Sequence, residues 1–169
     1  MENKVITLTQ PRLLSYLFSP TKDISKLRTS HINNITKMVF IMREYEGVGL
    51  AANQVGWDKS VILIVDYKNQ EEPVIKSIIN PRIIWTSKEI GADTEGCLSL
   101  PGKSFIVERP EEVEIEYIRW DQHGSSIQTM KRDGMTARII QHEIDHLNGV
   151  LISDGEATEV TITEQASLL

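Results

Sequence analysis

Apolar residues change period several times along this chain, and each change marks an element. Over residues 30–46, Ile32, Ile35, Val39, Met42 and Tyr45 recur at three- and four-residue steps, the spacing of one helix face. Met38 and Met42 are assigned to core packing, the ordinary use of a flexible thioether. Gly47 ends that helix. Val61-Ile62-Leu63-Ile64-Val65 is a continuous β-branched run and predicts a buried strand. A turn follows over residues 68–73, then strands over 74–79 and 83–86, broken by Asn80-Pro81. Residues 112–117 alternate, with Val113, Ile115 and Tyr117 on one face, and residues 125–130 pair with them across a turn at 121–124. The first 29 residues read as an extended arm with turns at Pro11-Arg12-Leu13-Leu14 and Ser19-Pro20-Thr21. The tail after Asp154 is polar, lacks a pattern and is expected to fray.

The last strongly periodic stretch runs from Met135 to Leu147 and carries Gln141-His142-Glu143-Ile144-Asp145-His146-Leu147-Asn148-Gly149. At about 100° per residue, Met135, Ile139, His142, Glu143 and His146 fall within an arc of roughly 100°. Ile140, Ile144 and Leu147 fall on another side. The helix therefore has two apolar surfaces, one for a core and one beside the histidines. Asp133 or Thr136 is placed to cap its start, and Gly149 sits where a C-terminal glycine belongs. His142 and His146, one turn apart, can share one divalent metal ion, with Glu143 beside them as general base. His31 and His123 read as ordinary surface histidines.

Composition narrows the setting. A chain of 169 residues with 40% apolar and 25% charged content fits one globular domain, read here over residues 1–169. The net charge of −6 argues against a broad nucleic-acid surface. No apolar run approaches the roughly 18 residues that span a bilayer, and the opening residues resemble neither a signal nor a transit peptide. A lone cysteine forms no internal disulfide, so a cytoplasmic setting is expected.

That cysteine needs a role. Cys97 lies in Glu95-Gly96-Cys97-Leu98-Ser99-Leu100-Pro101-Gly102, an irregular stretch of backbone. Buried packing is the common fate of a free cysteine. As a thiolate, Cys97 would complete a Cys/His/His site with one tetrahedral position open, the pattern of catalytic rather than structural metals. A carbonyl attacked there needs donors for its oxyanion, and the Gln54 amide and backbone N–H groups near Cys97 are candidates. Gln54 closes Gly47-Val48-Gly49-Leu50-Ala51-Ala52-Asn53-Gln54, whose small residues allow close backbone approach and which, taken alone, reads as a tight turn. The chemistry these groups fit is metal-assisted hydrolysis of an amide.

The three blocks at 47–54, 95–99 and 141–149, in this order, resemble those of the peptide deformylases. The resemblance covers about residues 10–154. It implies an α+β fold, with small antiparallel sheets around a central helix bearing the histidine motif. It implies removal of the formyl group from the N-terminal formylmethionine of nascent chains, with release of formate. Carried over residue by residue, it makes Cys97, His142 and His146 the metal ligands and Glu143 the general acid/base. Gln54 and the Leu98 N–H become oxyanion donors. Gly49 pairs with the substrate backbone, and Val48, Met135, Ile139 and His142 form the methionine pocket. Glu95 and Arg109 match a supporting charged pair. One divalent ion per chain is implied, Fe²⁺ first, with Zn²⁺, Ni²⁺ or Co²⁺ able to replace it. Formylmethionyl nascent peptides are the implied partners, with the ribosome exit region as a further one and neither nucleic acid nor membrane. A bacterial or phage-encoded protein follows. The opening keeps Pro11-Arg12-Leu13 but little else of the usual start, and the stretch after Asp154 is shorter than in many bacterial members.

Other classes fit less of the chain. A metalloprotease shares the His-Glu-x-x-His helix but takes a third histidine or a glutamate as ligand. An inactive paralogue or binding module with a structural metal needs neither Glu143 nor Gln54. A scaffold protein explains none of the three blocks.

Overall fold

In the computed structural model, residues 1–69, 71–121, 124–154 and 157–160 are described. Among the described residues, eight strands and three α-helices make an α+β fold. The strands are β1 (Gly49–Ala51), β2 (Val61–Asp66), β3 (Val74–Thr86), β4 (Ile90–Gly96), β5 (Ser104–Pro110), β6 (Glu112–Asp121), β7 (Gly124–Asp133) and β8 (Thr158–Val160). The helices are α1 (Leu14–Leu17), α2 (Thr29–Glu44) and α3 (Gly134–Leu147). A five-stranded antiparallel sheet runs in the order β1-β2-β3-β6-β7, and a three-stranded one in the order β4-β5-β8.

Strand β2 explains why its sequence is apolar without alternation. Val61 and Leu63 pack into a core with Met38, Ile41 and Met42 of α2, whereas Ile62 and Ile64 pack into a second core with Ile139, Ile140, Ile144 and Leu147 of α3. Successive side chains of a strand point to opposite faces, so a strand between two helices is apolar at every position. Each such buried Ile or Leu contributes about 1.5–3 kcal/mol relative to exposure. Val113 and Ile115 of β6 and Met130 of β7 extend the second core beneath α3.

Several expectations change. The two strands expected on either side of Asn80-Pro81 are one strand, β3, with a register shift between Ile79 and Arg82. Asn80 takes the left-handed conformation at φ 52°. Its side chain accepts from the Ile24 N–H and donates to the Ile24 carbonyl, at 2.9 and 3.0 Å. A bulge is where an interior strand tolerates proline. Helix α2 is core-facing at Met38, Ile41 and Met42, while Ile32 is 51% exposed. The N-terminal arm contains α1 and a 3₁₀ turn, Pro11–Leu13. The segment at 47–56 is no simple turn: it is β1 followed by a 3₁₀ turn, Ala52–Val55. Beyond Asp154, Thr158–Val160 pairs with β5 as β8. Strands β4 and β5 have no counterpart in the sequence reading. The 68–73 and 121–124 turns, His123 and the frayed tail fall wholly or partly outside the described residues.

Helix α3 follows Asp133, which makes no side-chain cap, and the Thr136 hydroxyl accepts the Tyr67 N–H at 3.0 Å. Its end follows expectation. Gly149 is left-handed at φ 78°, with its N–H on the His146 carbonyl and the Val150 N–H on the Asp145 carbonyl, both at 2.9 Å. This double closure satisfies the last carbonyls of the helix. A Cβ at Gly149 would lie 2.8 Å from the carbonyl carbon of Phe18, so the helix end and the N-terminal arm are fitted to each other.

Candidate metal centre

Four elements converge on one cleft of about 620 Å³. Helix α3 contributes Met135, Ile139, His142 and Glu143; the chain leaving β4 contributes Cys97 and Leu98; the chain around β1 contributes Val48 and Gly49; and the 3₁₀ turn contributes Gln54. His146 lies buried just below. Cys97 Sγ is 3.2 Å from His146 Nε2, and donor atoms of Cys97, His142 and His146 all lie within 4.8 Å of one another. Among the described residues this is the one such cluster of possible metal donors.

Strand β4 places the thiol. Glu95 is its one buried residue, and Cys97 follows directly after its last position, Gly96. The Glu95 carboxylate meets His142 Nδ1 at 2.9 Å. A carboxylate accepts, so Nδ1 is the donor here and Nε2 is the nitrogen left to face a metal. Arg109 grips the same carboxylate through two bonds of 2.6 and 3.0 Å and reaches Asp145 at 2.8 Å. Burial alone would raise the Glu95 pKa, but His142 and Arg109 overcome it and bring it to about 2.

The histidines are differently poised. Burial works against charge on His142, yet its bonds to Cys97 and Glu95 and the nearby Glu143 carboxylate raise it to about 10. The anionic groups responsible, Cys97, Glu95 and Glu143, also favour a metal cation beside this ring. His146 is lowered by burial and by the positive charge of His142 and Arg109, so it is neutral and able to ligate. One thiolate and two imidazoles around a gap of this size suit a divalent transition metal.

Glu143 is buried, and among the described residues no arginine bonds to its carboxylate. Burial, and beyond it the Glu95 and Asp145 charges, outweigh His142 and Arg109 and raise it to about 7. Gly49 lies against it: a Cβ there would collide with Glu143 Oε1 and come within 2.9 Å of Ile139 Cγ2. A glycine is required here for close approach rather than for a turn. The Gln54 amide is locked, its Oε1 accepting the Ala51 N–H at 2.9 Å and its Nε2 donating to Ser99 Oγ at 3.1 Å, 3.8 Å from Cys97 Sγ. Val48 and Met135 leave 43% and 53% of their surface exposed at the mouth, giving the cleft apolar walls. His31 takes the Arg28 N–H and stands beside Trp57, outside the cleft lining.

The structure thus brings together every site residue expected from sequence. It also adds Arg138, Asp145 and Ser99. Arg138 precedes His142 by four residues and His146 by eight, on one stripe of α3. That spacing was the available signal. Ser99 and Asp145 carried none beyond lying inside the matched blocks.

Comparison with known proteins agrees with this geometry. Residues 3–160 match the family pattern described as polypeptide deformylase. Peptide deformylase 1 of a Nostoc species is 40% identical over 152 residues, which span 89% of this chain and 79% of that one. The peptide deformylase of Borreliella burgdorferi is 40% identical over 149 residues, 83% of this chain and 86% of its own. Among solved structures, a Synechococcus elongatus peptide deformylase in complex with actinonin superposes with a TM-score of 0.76 at 40% identity, covering 89% of this chain and 78% of that one. A probable peptide deformylase from a Synechococcus phage gives 0.76 at 31% identity, covering 89% and 97%. With one family pattern spanning nearly its whole length, and relatives this similar in both sequence and fold, the chain belongs to the polypeptide deformylase family.

Proposed function

We propose that this chain is a metal-dependent hydrolase that removes the formyl group from the N-terminal formylmethionine of newly made polypeptides, releasing formate. The observation that carries the reading is the Cys97, His142 and His146 donor set beside Glu143 in an apolar-walled cleft. A divalent ion bound by Cys97 Sγ and the two imidazoles would supply Lewis acidity.

The remaining work falls to the chain's own residues. Glu143, with a pKa near 7, takes a proton from the attacking water and returns it to the departing amine. Gln54 Nε2, held in one orientation, and the Leu98 N–H stabilise the negative charge that develops on the formyl oxygen. Val48, Met135, Ile139 and the His142 ring enclose the methionine side chain. The Gly49 loop pairs with the substrate backbone, while the missing Cβ of Gly49 leaves room for Glu143. Fe²⁺ is the proposed ion, with Zn²⁺, Ni²⁺ or Co²⁺ as replacements. No helix among the described residues is long and apolar enough to cross a membrane. The proposed setting is a bacterial cytoplasm, where nascent chains leave the ribosome exit region.

The test is formate release from a formyl-Met peptide, using protein purified without oxygen and assayed for bound metal. Rapid release with about one metal per chain supports the reading, the ligand number being that of an open catalytic site. Absence of release with metal bound would sink it and point to a paralogue with another acyl-amide substrate.

A further inference from the structure

Arg138 is a side chain at this centre that the proposed chemistry leaves without a role. It stands one helical turn before His142 and is nearly buried, with 13% of its side chain exposed. Its guanidinium makes three bonds. Nη1 donates to Glu95 Oε1 at 2.7 Å and to the Val107 carbonyl at 2.9 Å, and Nη2 donates to the Gly91 carbonyl at 2.8 Å. Those acceptors lie on β4 and β5, the sheet from which Cys97 emerges. Arg138 lines the cleft as well.

The two arginines on Glu95 are not equivalent. Arg109 comes from β5, grips the carboxylate through two bonds and reaches Asp145 of α3 through a third, but it is anchored on the sheet side. Arg138 comes from α3, the helix that carries both histidines. It therefore ties the histidine-bearing element to the cysteine-bearing one at the carboxylate that fixes the His142 tautomer. Partners of this kind set ligand orientation, and their loss usually weakens metal affinity or activity about 10–100-fold.

We propose that Arg138 is a positioning residue of the metal centre, clamping α3 to β4 and β5 through Glu95 and the Gly91 and Val107 carbonyls, and so fixing His142 relative to Cys97. This rests on the metal-hydrolase reading above. A planar fork is needed, because three acceptors on two strands must be met by one side chain; a lysine offers one compact ammonium instead.

The test compares the full chain with Arg138→Met and Arg138→Lys, each loaded with metal. Metal release to a chelator, the visible spectrum of the Co²⁺-loaded protein, kcat, KM and Tm are measured. Arg138→Met is expected to release metal about 10-fold faster, shift the Co²⁺ bands and lower kcat by a similar factor, with KM changed less than about twofold. Arg138→Lys is expected to lie between it and the parent. If metal release, Co²⁺ spectrum and kcat match the parent while Tm alone falls, Arg138 is a tie of the fold and the proposal is overturned. If Arg138→Met does not fold, parent-like release and spectrum in Arg138→Lys overturn it. If the parent binds metal but releases no formate, the functional reading fails, while the metal-release comparison still judges Arg138.

Discussion

Two buried carboxylates in this molecule are built alike and do different things. Asp66, at the end of β2, receives Arg132 from β7 through bonds of 2.9 and 2.7 Å and Lys76 from β3 at 2.6 Å. Glu95 receives Arg109 twice and Arg138 once. Both are held ionised by these cations against the opposing effect of burial. They differ in what else each carboxylate touches. Asp66 takes a backbone N–H, that of Lys68, and so ends as a clasp joining β2 to β7 across the strands between them. Glu95 takes His142 Nδ1 and so passes its charge into the centre. The same ion-pair chemistry is a fastener in one place and an orienting device in the other. The additional partner decides which. Glu143 is a third buried carboxylate with neither arginine, and its Oε2 has no hydrogen-bond partner among the described residues. It is the one left basic enough to move protons.

The comparison is sharpened most by removing the unbraced member. Glu143→Ala should keep the metal and lose turnover by several orders of magnitude, near the upper end of the ~10²–10⁴-fold range for acid–base groups; near-parent turnover would take Glu143 out of the mechanism. Gln54→Ala should lower kcat by roughly 10²-fold with little change in KM. An effect confined to KM would make it a binding residue. Glu95→Gln should weaken metal retention by about 10–100-fold, as loss of a ligand's orienting partner does. Asp66→Asn should leave metal retention and kcat unchanged while stability to denaturant falls by about 3 kcal/mol, the low end for a broken buried pair because Lys76 is 40% exposed. Altered metal retention in Asp66→Asn would erase the distinction between the two sites.

The smallest effect is in acid. The folded-state pKa of Asp66 lies well below its unfolded value of about 3.9, so its contribution is complete above that value and is lost as pH falls towards the folded one. The stability difference between the parent and Asp66→Asn should therefore be flat from about pH 7 to 5 and shrink below about pH 4. A difference that grows on acidification would reverse the assignment.

Legibility in the sequence followed what each element buries. Strand β2 and helix α3 bury apolar faces and were readable from period alone. Strands β4 and β5 were not, because Glu95 is the only buried residue of the first, and the second buries Arg109 alongside Phe105. A strand whose inward position is charged gives no hydrophobic alternation. The bulge at Asn80 hid the continuity of β3 because Asn-Pro is ordinarily a stop. In the site, the metal donors were legible from residue type and order. The bracing of Glu95 by Arg138 was not, since its carbonyl acceptors on Gly91 and Val107 have no side-chain signature.

Cys97 is the only cysteine in the chain. A thiol reagent therefore has a single target, and that target is one of the three donor groups. Under native conditions, alkylation competes directly with metal at the sulfur, whereas in denaturant every chain reacts. The ratio of the two mass-shifted fractions on the intact protein would count loaded and unloaded molecules in one sample, with no substrate and no assumption about which metal is bound.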